Sequence, residues 1–215
     1  MHLSNARKLV EEDWTGVFIE GNVLRFQSLT MNYPSPQIIK INAWVGFRGS
    51  SKSDRLVLDE LLLRHVSPDF IENLDLVIID VDGVDLEIAL SSNVRPKVMI
   101  LEGGSSFVPT INTSFPLAEN NFQHPIKFIA GEMQRIGYVS VCFHQDLFLV
   151  RQDLANQVLQ GMQIKTPEEL FIQSFYFLPR SERRYQMLKR LRSSELRRFE
   201  LQMLGSFHPN PERKL

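Results

Sequence analysis

The clearest strand signal in the sequence is LDLVIID, residues 74–80. It is almost continuously apolar and ends on a carboxylate, which is typical of a strand buried on both faces of a parallel sheet. On either side of it, further apolar strands are predicted over 16–20, 38–45 and 97–102, and a short connection predicts a hairpin over 138–143 and 147–150. Helices alternate with these strands, so we expect an α/β fold with a mostly parallel sheet and an antiparallel C-terminal hairpin.

The helices are predicted from apolar spacing, capping residues and the stop signals of proline and glycine. In the second helix, Leu24, Phe26 and Leu29 are the expected core residues, and a long loop is expected over 103–124. The ranges predicted to be helical are 4–13, 22–31, 55–65, 84–90, 125–136, a helix from 167 to about 178, and 181–204.

Composition excludes several classes of protein. The chain has 215 residues, 43% of them hydrophobic, and a net charge of -1, which fits one globular domain with an appendage and excludes disorder as the main state. The single cysteine, Cys142, excludes an internal disulfide and a thiolate metal cluster, and we expect it to be buried on its strand. No apolar run approaches about 20 residues, so no membrane span is expected, and a cytoplasmic location is predicted.

Polar residues follow the predicted strands, where ligands bind in open α/β sheets. Glu20 closes the first strand, and an acid there can accept hydrogen bonds from both hydroxyls of a ribose. Asn42 and Ala43 lie on the second strand, Asp80 ends the third and Glu102 ends the fourth. We therefore expect these side chains to surround a ligand at one edge of the sheet.

The acidic cluster around the third strand has two interpretations. Asp80, Asp82 and Glu102 could hold one Mg²⁺ or a similar hard cation, although their spacing does not fit a calcium loop. Alternatively, Asp80 is a hydrogen-bonded site carboxylate without a metal, and Asp82 or Asp85 caps the following helix.

Two histidines are candidates for acid–base chemistry. His144, at the tip of the predicted hairpin, is the candidate general base, and His124 in the long loop is the second choice. The alternative for both residues is an ordinary solvated loop histidine.

Four stretches, in order, resemble one known family. LSNARKLVEEDWTGVFIEGN (3–22), LDLVIIDVDGVDLEIAL (74–90), VRPKVMILEGG (94–104) and IGYVSVCFHQDLFLVRQDL (136–154) are similar to motifs of FkbM-like methyltransferases that depend on S-adenosyl-L-methionine (SAM). The resemblance covers residues 3–155 and implies a Rossmann-like methyltransferase fold with an antiparallel C-terminal hairpin. It predicts a methyltransferase-like domain over 1–155 and a helical C-terminal extension over 156–215.

The resemblance also implies roles for individual residues. Glu20 would hold the ribose of SAM, Asn42 and Ala43 would flank the adenine, and Asp80 would lie beside the methionine end and the acceptor. The implied reaction is methylation of a hydroxyl group on a small molecule or glycan, by positioning the acceptor in line with the sulfonium.

The sequence also departs from the family. Met1, His2 and Leu3 stand where the family has a first strand and a glycine-rich loop, and Gly103-Gly104 replaces an aromatic–asparagine pair. A truncated enzyme, a degenerate relative, or a sheet completed by another segment or subunit would each account for this. The alternative function is therefore a non-catalytic interaction or assembly protein. A dehydrogenase relative is the third choice, and no G-x-G-x-x-G motif supports it.

The C-terminal extension is locally basic. Eight Lys or Arg residues lie within 180–198 against Glu182 and Glu195, with apolar residues available for one side of a helix. The alternatives are a helix that packs on the domain or on a second copy of the chain, binding to nucleic acid, and binding to a membrane surface.

Overall fold

The structure is a computed structural model that describes residues 6–50, 54–81, 83–103, 109–110, 112–118 and 121–177. The described part of the chain is a mixed α/β structure. Its strands are β1 (Gly16–Glu20), β2 (Ile38–Asn42), β3 (Trp44–Gly46), β4 (Arg55–Val57), β5 (Leu76–Ile79), β6 (Val98–Glu102), β7 (Phe115–Ala118), β8 (Asn121–Gln123), β9 (Tyr138–His144) and β10 (Asp146–Arg151). Its helices are α1 (Arg7–Glu11), α2 (Val23–Asn32), α3 (Leu58–Leu63), α4 (Pro68–Glu72), α5 (Asp85–Ser91), α6 (Ile126–Arg135), α7 (Ala155–Leu159) and α8 (Pro167–Phe177).

The strands pair in four hydrogen-bonded groups. β1 pairs with β2 and β3 with β4, both in parallel, while β7 and β8 form an antiparallel pair. The largest group is a four-stranded sheet in the order β5-β6-β10-β9. In that sheet β5 and β6 are parallel, and β10 is antiparallel to both β6 and β9. The predicted parallel pairing and the C-terminal hairpin are therefore present, and β10 lies inside the sheet with β9 at its edge.

The hydrophobic core is built around the four-stranded sheet. Met99, Leu101, Leu147 and Leu149 are each 1% exposed or less, because β6 and β10 have neighbours on both sides and are covered by helices. Side chains of α5, α6 and α8 complete the same cluster, and Val17, Ile19 and Val45 from the first strands pack against it. The first two strand pairs and the four-stranded sheet thus share one core.

The bounds of two predicted elements differ in the structure, and the loop predicted over 103–124 contains the antiparallel pair of β7 and β8. The strand predicted over 38–45 is interrupted at Ala43, whose N–H donates to the carbonyl oxygen of Glu20 at 3.2 Å, and the chain resumes as β3. The helix predicted over 55–65 begins as the short strand β4, because Arg55–Val57 pairs with β3, and becomes helical only at Leu58.

Two predictions of burial are wrong. Leu24 is 73% exposed. The half-buried residues of α2 are Phe26 and Leu29. At 3.6 residues per turn, Leu24 points about 160° away from Phe26 and so lies on the solvent side of the helix. Cys142 is exposed, because it alternates with the buried Phe143 along the edge strand β9 and so faces the opposite side of the sheet.

The C-terminal extension is described only as far as residue 177. α8 begins at Pro167 as predicted and packs on β9 and α6, with Leu170 and Phe171 in the core and the Phe171 ring stacked 5.7 Å from that of Phe143. The basic segment 180–198, and with it the predicted oligomer or nucleic-acid contacts, lies outside the described residues. Within 6–177, where described, no helix is both long and apolar enough to cross a bilayer.

Candidate functional site

The carboxyl ends of β1 and β2 hold the first group of predicted site residues together. Glu20 and Asn42 are register partners in this parallel pair. The Asn42 side chain donates through Nδ2 to the carbonyl oxygens of Glu20 at 2.7 Å and Gly21 at 3.3 Å. The Ala43 N–H donates to the same Glu20 carbonyl. Asn42 therefore fixes the backbone turn that carries Glu20, a role that an acid could not fill, because a carboxylate has no donor for these carbonyls.

The carboxylate of Glu20 lies at the start of α2. Its Oε1 accepts a 2.8 Å hydrogen bond from the backbone N–H of Asn22. Asn22 is in turn the N-cap of α2, and its Oδ1 accepts from the N–H groups of Leu24 and Arg25. Oε1 is thus used to shape the strand-to-helix turn, while Oε2 forms no hydrogen bond with the described residues. Glu20 therefore has one oriented oxygen that can accept a hydrogen bond from a ligand.

An aromatic ring covers the glycine that follows Glu20. A Cβ placed on Gly21 would lie 2.2, 2.4 and 2.8 Å from Cδ2, Cε3 and Cε2 of Trp44. These three atoms adjoin the ring-fusion bond of the indole, so the Gly21 backbone meets the face of the ring and not its edge. Only glycine permits this contact. Trp44 is nevertheless 47% exposed.

The turn after β5 is organised by a buried carboxylate. Asp85, only 6% exposed, accepts from Val81 N–H at 2.9 Å through Oδ1 and from Gly83 N–H at 3.0 Å through Oδ2. Burial raises the pKa of Asp85 to about 6, the two backbone hydrogen bonds act against that rise, and the charge of Asp80 adds to it. Asp85 is therefore not the N-cap of α5. It holds the turn that presents the exposed Asp80.

Four polar residues lie in a row across one end of the four-stranded sheet. Asp80 directly follows Ile79, whose register partner is Leu101, so Asp80 is level with Glu102. Asp146 is the register partner of both Glu102 and His144. The structure therefore places Asp80, Glu102 and His144 at the same end of the sheet, where β5 and β6 have their carboxyl ends. Three strand spacings separate Asp80 from His144, about 14 Å, so these two side chains reach different parts of a ligand.

His124 is not the solvated loop histidine that was one expectation for it. It is 7% exposed, its ring stacks on Phe128 at 5.3 Å, and its Nε2 lies 2.8 Å from Oε1 of Glu87. Glu87 lies in the first turn of α5 and His124 lies just before α6. The pair joins the helices that follow β5 and β6. His144, by contrast, is exposed at the hairpin tip.

The predicted metal ligands do not form a cluster in the described part of the chain. Within that part, no group of three or more His, Cys, Asp or Glu side chains is arranged to hold a metal ion. Asp82 lies outside the described residues, Asp80 is exposed, and Glu102 is half-buried.

Sequence reasoning placed Trp44 at a strand end but missed its contact with Gly21, and it missed Glu87 and the structural role of Asp85. A signal for Asp85 was present, because an acid two residues after a glycine at φ 119° can accept from the N–H groups of the turn. A signal for Trp44 was weaker. A glycine directly after a strand-end acid indicates close approach of some group, but the approaching ring is 23 positions further along the chain. Nothing in the local sequence pairs His124 with Glu87.

Neither a protein-family model, nor a curated protein, nor a solved structure matches this chain.

Proposed function

We propose that this chain is a SAM-dependent methyltransferase with a Rossmann-like domain, acting on a hydroxyl group of a small molecule or glycan. The observation that supports this most is the arrangement at the carboxyl end of β1. There the Glu20 backbone is held by Asn42, and its carboxylate has Oε1 bound to Asn22 and Oε2 directed to no described partner. An acid in this position, at the end of a parallel strand and beside a helix start, is suited to binding a ribose.

Two groups of residues would hold the two ends of SAM, its adenosine part and its methionine part. At the first end, Glu20 would accept hydrogen bonds from the ribose hydroxyls, and Asn42 and Ala43 would lie beside the adenine. At the second end, the exposed carboxylate of Asp80 would attract the positively charged amino group of the methionine part. When bound, SAM supplies a methyl group on a positively charged sulfur, which leaves as a neutral thioether once the methyl is transferred.

The protein's part in this reaction is positioning and proton transfer. The acceptor oxygen forms a bond to the methyl carbon as the carbon–sulfur bond breaks, and the hydroxyl proton passes to a base. The proposed base is Asp80, beside the cofactor end, whereas His144, the other candidate, lies about 14 Å further along the same end of the sheet. Because of that separation, Asp80 acts at the reacting hydroxyl if the cofactor lies over β5, and His144 contacts the remoter part of the acceptor.

Titration calorimetry with SAM and with S-adenosylhomocysteine tests this proposal. We expect both ligands to bind, and Glu20→Gln to weaken binding about 10-fold or more, because the amide keeps the shape but loses the charged acceptor. Glu12→Gln is the matched control, because Glu12 is an exposed acid outside the strand ends, and it should leave the affinity unchanged. Absence of binding to either ligand would contradict the proposal, and so would equal affinity in Glu20→Gln.

A further inference from the structure

Trp44 is both exposed and fixed in place. It is 47% exposed, yet one face of its indole is fixed against the Gly21 backbone at a distance that excludes any side chain at that position. Its main chain is also fixed, since Trp44 begins β3 and pairs with Arg55 of β4. The ring is therefore held in place on the Gly21 side, while nearly half of the residue's surface remains exposed.

The neighbours of this ring are polar groups suited to a nucleoside. Gly21 follows Glu20, whose carboxylate lies at the start of α2, and Trp44 follows the residues Asn42 and Ala43 that bond to the Glu20 carbonyl. The indole thus belongs to the residue directly after Ala43, whose N–H donates to the carbonyl oxygen of Glu20, and the carboxylate belongs to Glu20 itself. A flat apolar ring beside a carboxylate matches a ligand that carries a flat base on a sugar diol.

We propose that Trp44 is the stacking platform for the base of a nucleoside ligand whose ribose is bound by Glu20. This inference rests on the proposed function for the identity of the ligand, SAM. It goes further by assigning contact with the base to the Trp44 side chain, in addition to Asn42 and Ala43 at the strand end. Stacking of a base on an aromatic side chain tolerates any base with a π-face, and its loss typically weakens binding about 10- to 100-fold. Purines, with the larger ring, are expected to bind more tightly than pyrimidines.

A purely structural Trp44 would cover Gly21 and support Glu20 without touching the ligand. The two roles predict different effects of losing Trp44 on the affinity for a ligand that lacks a base. S-Adenosylhomocysteine and S-ribosylhomocysteine share the ribose and the thioether, and only the first carries adenine. Stacking affects only the first ligand, whereas loss of support for Glu20 would affect both equally.

The experiment compares the affinities of these two ligands for the full chain and for Trp44→Phe, Trp44→Ala and Trp14→Ala. Trp14 is the matched control, a 41% exposed tryptophan before β1. We expect Trp44→Ala to weaken S-adenosylhomocysteine binding about 10- to 100-fold, Trp44→Phe to retain most of it, and S-ribosylhomocysteine binding to change less than 3-fold in either. Equal losses for both ligands in Trp44→Ala, or no loss for S-adenosylhomocysteine, would overturn the inference.

A second measurement separates this inference from the proposed function. In Trp14→Phe the only tryptophan is Trp44, so quenching of its fluorescence by adenosine, guanosine or uridine reports on base stacking directly. If neither homocysteine derivative binds but a nucleoside quenches Trp44, the methyltransferase proposal fails and the stacking platform stands. If S-adenosylhomocysteine binds without quenching Trp44, the platform fails and the methyltransferase proposal stands.

Discussion

The imidazole of His124 and the carboxylate of Glu87 form a hydrogen-bonded pair, 2.8 Å between Nε2 and Oε1, that joins α5 to the segment just before α6. Their side chains are 6% and 20% exposed. Because the second carboxylate oxygen of Glu87 is also buried, without a hydrogen-bond partner among the described residues, loss of the imidazole would leave a partly buried carboxylate without its hydrogen bond to His124.

His124→Leu is therefore expected to lower the free energy of unfolding by about 2–4 kcal/mol, measured by urea denaturation. The double variant Glu87→Leu/His124→Leu should recover part of this loss, because no buried charge remains. Glu11→Gln, which removes an exposed ion pair with Arg7, is the control and should leave the midpoint unchanged. A double variant less stable than the single one would contradict this account.

Asp85 should make stability depend on pH in the direction opposite to most acids. Its pKa rises from 3.8 to about 6 on folding, so between these values the folded state binds more protons than the unfolded state, and stability falls as pH rises. Between pH 4 and pH 7, the free energy of unfolding of the wild type should therefore fall by about 2 kcal/mol relative to that of Asp85→Asn, which does not titrate.

Asp153→Asn is the control for that measurement. Asp153 is exposed, and its hydrogen bond with Arg151 lowers its pKa. Its charged form is therefore favoured by folding, and the wild type should become more stable relative to this variant as pH rises through the acidic range. A difference of the same sign for both variants would show that Asp85 does not carry the buried charge described.

Gly21→Ala should displace the indole of Trp44. The new methyl group would lie 2.2 Å from Cδ2 of the ring, and the ring must therefore move. We expect a loss of stability of about 1–3 kcal/mol and a shift in tryptophan emission in the Trp14→Phe background. In Trp44→Ala the same Gly21→Ala change should cost much less, so a double-mutant cycle should give a clear coupling energy. Additive effects would mean that the two residues do not touch.

Tyr138→Phe tests the packing between β9 and the start of β6. The Tyr138 hydroxyl is buried and donates a 2.7 Å hydrogen bond to the carbonyl oxygen of Pro96. The phenylalanine variant leaves that carbonyl without its donor, which should cost about 1–3 kcal/mol in thermal or urea unfolding. Tyr33→Phe, at a half-buried ring that packs against Phe18, is the control and should have little effect. An unchanged midpoint for Tyr138→Phe would contradict this role.

Strong local signals in the sequence predicted most of the elements correctly. β1 matches its prediction over 16–20, and the hairpin of β9 and β10 differs from prediction by one residue at three of its four ends. These strands combine continuous apolar character with clear stops, such as Gly137 at φ 89° after α6. The errors over 38–45 and 55–65 arise where short strands pair across a connection, since pairing between β3 and β4 depends on contacts that local sequence does not encode.

For the candidate site residues, the sequence correctly predicted positions at strand ends but not the partners of each side chain. Glu20, Asp80 and Glu102 do lie at strand ends, because a strand that runs apolar to its last residue places its first polar residue at the rim. The binding of Asn42 to a backbone carbonyl 22 positions away, and the approach of Trp44 to Gly21, depend on how β1 and β2 pair. Such contacts follow from the assembled strands.

The β1–β2 pair and the elements next to it contain few buried residues. Among the described residues from α1 to β3, only Ile38, Ile41 and Gly46 are buried, and α2 has no buried residue. Regions with few buried contacts open locally at a lower free energy than the global unfolding reaction, so amide hydrogens here should exchange with solvent before those of β6 and β10. A ligand held by Glu20 would bind only the closed form and would slow this exchange in proportion to its occupancy. Ligand binding would therefore stabilise this part of the fold against local opening.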